Sequence, residues 1–204
     1  MIKGYYFITD SGLSRAGNIE DVKTAVASGV TVVQYRNKNG STGEMYREAL
    51  ALKKICRGVL FLINDRLDIA LAVDADGVHI GQEDMPYVAS RRMLGTNKVI
   101  GVTVHDTAEA VAAEKMGADY VGVSPIFATS TKADAGKPSG VGVINEIKKN
   151  ISIPVVAIGG INLSNAQEVI DAGADSLCAI SAVVASDDSG GVIKKFREMF
   201  AKKR

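Results

Sequence analysis

The chain has 204 residues, 47% of them hydrophobic and 23% charged, with 21 glycines and a formal net charge of +1. That length and balance suit one packed core or two small ones and exclude a disordered or fibrous chain. Near-neutrality removes the global basic field of nucleic-acid and anionic-membrane binders, so no nucleic-acid partner is expected and any charged ligand must be held locally.

Apolar runs such as 177–185 stop far short of the roughly 18 residues of a spanning helix. Residues 1–10 place one lysine before a few apolar residues and an acid, without the apolar core and cleavage site of a secretion signal. The expectation is a cytoplasmic protein with no membrane partner. Cys56 and Cys178 lie far apart and form no CxxC or Cys/His cluster, so buried, reduced thiols are expected rather than a zinc site or disulfide framework.

Eight short β-rich runs follow in order: 5–9, 30–36, 60–64, 77–80, 99–103, 120–123, 155–158 and 176–180. Between them, segments such as 19–27, 45–57, 108–116 and 165–172 place apolar residues three and four apart, as surface helices do. Strict alternation implies parallel strands with helical crossovers, and eight such units close into a ring, so the predicted fold is a single-domain TIM (β/α)8 barrel over 1–204. A doubly wound open sheet shares the strand pattern, but no GxGxxG follows the first strand. Gly29, Gly117 and Gly173 each stand between a helical segment and a strand, where a left-handed cap is expected. The long polar stretch 124–140 follows the sixth strand, placing it on the catalytic face as a candidate lid.

Polar residues interrupt the pattern at strand ends. Gln34, Arg36 and Lys38 alternate after the second strand, so an extended chain would aim an amide and two cations to one side. Asn64 and Asp65 follow the third strand, and Gln82 and Asp84 the fourth. Neighbouring strands lie about 5 Å apart, close enough for the two carboxylates to share a small cation, and oxygen ligands favour Mg²⁺ completed by water and substrate phosphate. Taken singly, Asp65 and Asp84 read equally well as helix caps, before 66–70 and before Pro86. A second anion site is suggested by Ile158-Gly159-Gly160-Ile161 and Ala179-Ile180-Ser181-Ala182, where backbone amides at the last two strand ends would cradle phosphate. Thr129, Thr131 and Lys132 add hydroxyls and a cation from the long loop.

Taken together these segments resemble the thiamine-phosphate synthase (thiamine-phosphate pyrophosphorylase) family over nearly the whole chain. The matching stretches include Gln34-Tyr35-Arg36-Asn37-Lys38, Ile63-Asn64-Asp65-Arg66, Gly77-Val78-His79-Ile80-Gly81-Gln82-Glu83-Asp84, Gly101-Val102-Thr103-Val104-His105, Pro125-Ile126-Phe127 with Thr129, Thr131 and Lys132, and the two late loops. Thr103 stands where serine is usual and Ser124 where glycine commonly precedes Pro-Ile-Phe, while Tyr35 and Asn37 replace commoner neighbours. The latter two should point away from the ligand if the alternation holds.

The resemblance implies a transferase of thiamine biosynthesis with two phosphorylated substrates: a hydroxymethylpyrimidine diphosphate and a thiazole phosphate, joined with release of diphosphate. It implies Gln34, Arg36, Lys38, Asn64, Thr103 and Lys132 on the pyrimidine diphosphate, with Arg36, Lys38 and Lys132 aiding departure of the leaving group. It further implies Asp65 and Asp84 on Mg²⁺, and Thr129, Thr131, Gly160, Ile180 and Ser181 on the thiazole phosphate. No conventional nucleophilic residue is needed, so His79 is expected as a packed or hydrogen-bonded core residue. The rival on this barrel is a thiazole tautomerase, which could use His105 as acid/base but has no use for a diphosphate clamp. A sugar-phosphate epimerase would need opposed acids that 155–158 lacks, and a noncatalytic barrel would bind both ligands without releasing diphosphate.

Overall fold

Tyr5 and Phe7 belong to one apolar cluster while Tyr6 and Ile8 belong to another, so successive side chains of a single strand are buried on opposite faces. That demand is met when helices cover one face of the sheet and the sheet curls to cover the other, or when helices cover both faces of an open sheet. The computed structural model, which describes residues 2–129, 131 and 136–202, has the first arrangement.

Strands β1 (Gly4–Ile8), β2 (Val32–Tyr35), β3 (Leu60–Asn64), β4 (Gly77–Ile80), β5 (Val99–Val104), β6 (Tyr120–Val123), β7 (Val155–Ile158) and β8 (Ser176–Cys178) are all parallel. They form a closed barrel in sequence order, shut by the pairs Gly4 with Ser176 and Tyr5 with Leu177. The predicted TIM barrel is the observed fold. Strand ends differ slightly from expectation: the second begins at Val32 and ends before Arg36, and the eighth ends at Cys178, so Ile180 belongs to the next helix rather than to the strand.

The helices are α1 (Asn18–Ala27), α2 (Thr42–Ile55), α3 (Leu67–Ala72), α4 (Tyr87–Leu94), α5 (Thr107–Met116), α6 (Gly142–Asn150), α7 (Ala166–Asp171), α8 (Ile180–Val184) and α9 (Ser189–Ala201). Among the described residues none is long and apolar enough to cross a membrane. α2 starts earlier than predicted because Ser41 and Glu44 form a reciprocal capping box. Gly117 ends α5 in the left-handed conformation (φ 96°, ψ 26°), as its place in the sequence requires. The outer core lies between strands and helices, for example Tyr5 stacked on Phe196 of α9 at 5.2 Å. The barrel interior is filled by Tyr6, Ile8, Val32, Leu62, Tyr120, Val156 and Cys178.

One polar device recurs where strands begin. Asp76, Asp119 and Asp175 each accept a hydrogen bond from a backbone N–H of the preceding strand, at Phe61 (2.7 Å), Ile100 (2.8 Å) and Val155 (2.8 Å). Each also pairs with a cation from the helix that leads into that preceding strand: Lys53 of α2, Arg91 of α4 and Lys148 of α6. Helix, the strand it leads into and the start of the next strand are thereby fastened at one carboxylate.

Candidate active site

The strand ends open into a cavity. Its lining includes Gln34, Arg36, Lys38, Asn64, Asp65, Asp84, Thr103, Thr129, Thr131, Gly160, Ile180 and Ser181, so twelve of the predicted site residues converge. Lys132, the remaining one, lies outside the described residues.

The wall made by β2 to β4 carries charge. Arg36 extends beyond β2, and its guanidinium donates to the Asp10 carboxylate at 2.7 Å, both side chains being largely buried. Its backbone is fixed as well, since the Thr9 hydroxyl accepts from Arg36 N (2.8 Å) and donates to Arg36 O (3.1 Å). Lys38 reaches Asp65 at 2.5 Å. Tyr35 and Asn37 turn the other way, as alternation requires: Tyr35 donates to Glu48 of α2, and Asn37 donates to the Tyr35 hydroxyl.

Asp65 is not a helix cap. It adopts φ 61°, and the bond from Arg66 N to Asn64 O (2.7 Å) closes a tight γ-turn around it, a strained conformation for a non-glycine residue. α3 begins without a side-chain cap, and so does α4 after Pro86. Asp84 instead accepts from Gly81 N at 2.7 Å, within the turn that leaves β4. Burial raises the Asp65 carboxyl above the ordinary carboxylate range, the Lys38 ammonium partly offsets this, and the neighbouring Asp84 carboxylate adds to it. Two adjacent carboxylates in a partly buried mouth fit a hard cation. Among the described residues no third His, Cys, Asp or Glu joins a metal-binding group, so most of such an ion's shell would be left to water and ligand oxygens.

The opposite wall is nearly neutral. Gly159 (φ 103°) and Gly160 (φ 63°) leave β7 in left-handed conformations, and a Cβ on Gly160 would stand 2.4 Å from Ala128 O. Ile126 N and Phe127 N donate to Ile158 O and Gly159 O, laying the long loop along this turn. The base of that loop is tied by Ser139 N to Pro125 O and Gly140 N to Ile126 O. Thr129 accepts from Thr131 N at 3.2 Å, and Ile180 and Ser181 form the first turn of α8.

The floor joins the walls. Gln34 donates to Tyr6, Tyr6 meets Tyr120, and His79 meets both Tyr120 and Thr103. His79 is thus the hydrogen-bonded core residue expected. Asp10, Tyr6 and Tyr120 were missed by sequence reasoning. For Asp10 the signal was present, since it follows the first strand as Asp65 follows the third; the tyrosines carry none beyond apolar burial. His105 is exposed, holds the Glu109 carboxylate through Nδ1 (2.9 Å) and its backbone N–H (2.8 Å), and does not line the cavity. Both cysteines are free and buried, with burial pushing the Cys56 thiol up to about 12 and Cys178 also well above its ordinary value, so neither is a nucleophile at neutral pH.

A profile of the family described as thiamine monophosphate synthase matches residues 5–183. The chain belongs to this family. A thiamine-phosphate synthase of Methanosarcina barkeri is 57% identical over 201 residues, covering 98% of this chain and 91% of the relative. One from Methanosarcina mazei is 60% identical over 195 residues, covering 95% and 80%. Among solved structures, the thiamine phosphate pyrophosphorylase of Pyrococcus furiosus superposes with a TM-score of 0.90 at 40% identity, covering 98% of this chain and 96% of that one.

Proposed function

We propose that the chain is a Mg²⁺-dependent transferase that joins the methylene carbon of a hydroxymethylpyrimidine diphosphate to the nitrogen of a thiazole phosphate, yielding thiamine phosphate and diphosphate. The observation that carries the reading is one cavity with two unlike walls: Arg36, Lys38, Asp65 and Asp84 on one side, Gly159, Gly160 and Ser181 on the other. A diphosphate suits the first wall and a monophosphate the second.

Arg36, held by Asp10, and Lys38 would bind the diphosphate oxygens beside Asn64, and Lys38 would move from Asp65 to the ligand when a cation takes its place. Lys132 would add a third cation from the loop. Asp65 and Asp84 would hold Mg²⁺, which when bound supplies charge neutralisation to the leaving diphosphate. Gln34 and Thr103 would orient the pyrimidine from the floor, leaving its methylene toward the second wall. Gly160, Ile180 and Ser181, with Thr129 and Thr131, would hold the thiazole phosphate so that its nitrogen faces that carbon. Attack forms the C–N bond as the C–O bond to diphosphate breaks. The protein contributes positioning and fixed charge, and no residue need take up a proton from a nucleophile.

The position of His105 outside the cavity removes the acid/base that the tautomerase reading would use. The deciding experiment incubates pure protein with both substrates and Mg²⁺ and follows thiamine phosphate and diphosphate. Formation of both in equal amounts is expected, and binding of both ligands without product would overturn the proposal.

A further inference from the structure

Five polar side chains form an unbroken row across the cavity floor, Gln34, Tyr6, Tyr120, His79 and Thr103, each link 2.8 Å long. Gln34 and Thr103 line the cavity, while Tyr6 and Tyr120 are 1% and 0% exposed. A phenol has one hydrogen, and a neutral imidazole has one N–H and one bare nitrogen, so the row cannot be satisfied in arbitrary directions. Burial holds both tyrosines well above their ordinary pKa, so each keeps its hydrogen.

Gln34 Nε2 donates to Tyr6 Oη. Were Tyr120 also to donate to Tyr6, the Tyr6 hydrogen would have no acceptor among the described residues. Were Tyr6 and His79 Nδ1 both to donate to Tyr120, the Tyr120 hydrogen would be stranded instead. Either arrangement leaves a buried donor unmatched, which folded proteins avoid.

We infer that the row runs one way, with Tyr6 donating to Tyr120, Tyr120 to His79 Nδ1 and His79 Nε2–H to Thr103 Oγ1, so that Tyr6, Tyr120 and His79 are positioning residues for the two cavity-facing ends. Thr103 then turns its own hydrogen to the ligand, and Gln34, with its Nε2 aimed at Tyr6 and one of the two Nε2 hydrogens committed there, turns Oε1 to the ligand as an acceptor. This inference rests on the proposed function and deepens it: an aminopyrimidine edge, with N–H beside a ring-nitrogen lone pair, is the complement of that acceptor and donor. The 4-oxo analogue has nearly the same shape but an acceptor oxygen beside a ring N–H. To receive it, the amide and every link would have to reverse together, so the row sets specificity through hydrogens rather than size.

The chain has only two histidines, His79 and His105. In full-length protein labelled with ¹⁵N-histidine and carrying His105→Gln, the remaining imidazole is expected as the neutral Nε2–H tautomer with Nδ1 bare. An Nδ1–H tautomer or an imidazolium at neutral pH overturns the inference, whether or not any variant folds. In Tyr120→Phe, the KM of the pyrimidine diphosphate should rise about fivefold to tenfold, as for one lost hydrogen bond, with the KM of the thiazole phosphate within twofold. With Thr103→Val already present, the same change should cost less than it does alone, the remainder being the loss at the Gln34 end. An unaltered pyrimidine KM in folded Tyr120→Phe overturns the positioning role. A wild-type protein that forms no thiamine phosphate would sink the proposed function, yet the tautomer would still be read.

Discussion

Under the proposed function, the two walls of the mouth would hold anions by different means. The β2 to β4 wall uses side-chain charge already balanced in the protein, Arg36 against Asp10 and Lys38 against Asp65. The β7 to β8 wall uses a backbone turn at Gly159 and Gly160, where a Cβ would run into Pro125 and Ala128, with hydroxyls nearby. A leaving diphosphate gains charge during reaction and rewards fixed cations, whereas a spectator phosphate needs only to be held, which amides and hydroxyls do at lower desolvation cost. The charged wall is therefore where chemistry should be lost by substitution, and the neutral wall where affinity should be lost.

The sharpest way to break this contrast is Asp84→Asn, expected to cut turnover about a hundredfold or more and abolish the response to Mg²⁺. A Mg²⁺ titration of initial rates checks it, and an unchanged profile would reduce Asp84 to a turn residue. Asp65→Asn should be as inactive yet no less stable in a thermal scan, because asparagine tolerates φ 61° and removes a carboxylate that burial and Asp84 disfavour. Next in size, Gly160→Ala should raise the KM of the thiazole phosphate about tenfold and leave the pyrimidine diphosphate nearly unaffected. Its Cβ meets backbone at Ala128, so some loss of thermal stability should accompany it.

The two cations of the charged wall should differ from one another. Arg36→Gln leaves the Asp10 carboxylate buried without its partner and should cost roughly 3 kcal/mol of stability by denaturant unfolding. Lys38→Gln, at a half-exposed pair, should cost under about 1 kcal/mol while still weakening pyrimidine diphosphate use. Equal losses for both substrates in Lys38→Gln would mean one shared anion pocket and end the two-wall description. The smallest effect belongs to Asp21 of α1, which lies outside both walls. Burial raises its pKa and the Ser14 hydroxyl partly offsets this, so its contribution to stability is fully present below the unfolded carboxylate pKa and fades as pH rises through the folded one. Asp65 has the same sign, so only the difference between wild type and Asp21→Asn reports on Asp21. That difference should grow with pH and stay under about 1 kcal/mol at neutrality, measured by thermal scans at stepped pH.

The barrel and the charged wall were legible in the chain because both rest on local patterns: two-residue alternation in strands such as 60–64, and polar residues placed where those strands stop. Gly159-Gly160 was legible as a turn. The Asp10 partnership with Arg36 was not, since it spans 26 residues and forms only when β1 and β2 pair. Tyr6 and Tyr120 read as apolar core because nothing local records that two hydroxyls 114 residues apart will meet. Ile180 was misplaced because the apolar run from Leu177 has no break where strand gives way to helix. Asp65, taken singly, read equally well as a cap because an acid ahead of a helical segment is the usual cap signature, and the left-handed turn that overrides it leaves no mark in composition.

The carboxylates that fasten successive strands at Asp76, Asp119 and Asp175 bear on how the ring is assembled. Their backbone partners lie only 15, 19 and 20 residues away, whereas the Ser176 hydroxyl that reaches Gly4 spans 172. Loop-closure entropy favours short separations, so strand–helix–strand pieces can seal their own polar ends while the chain is still open. The final seam, β1 against β8, then joins preformed parts rather than organising them. The end of the barrel opposite the cavity thus has its own task, which is to let a closed ring grow from local steps.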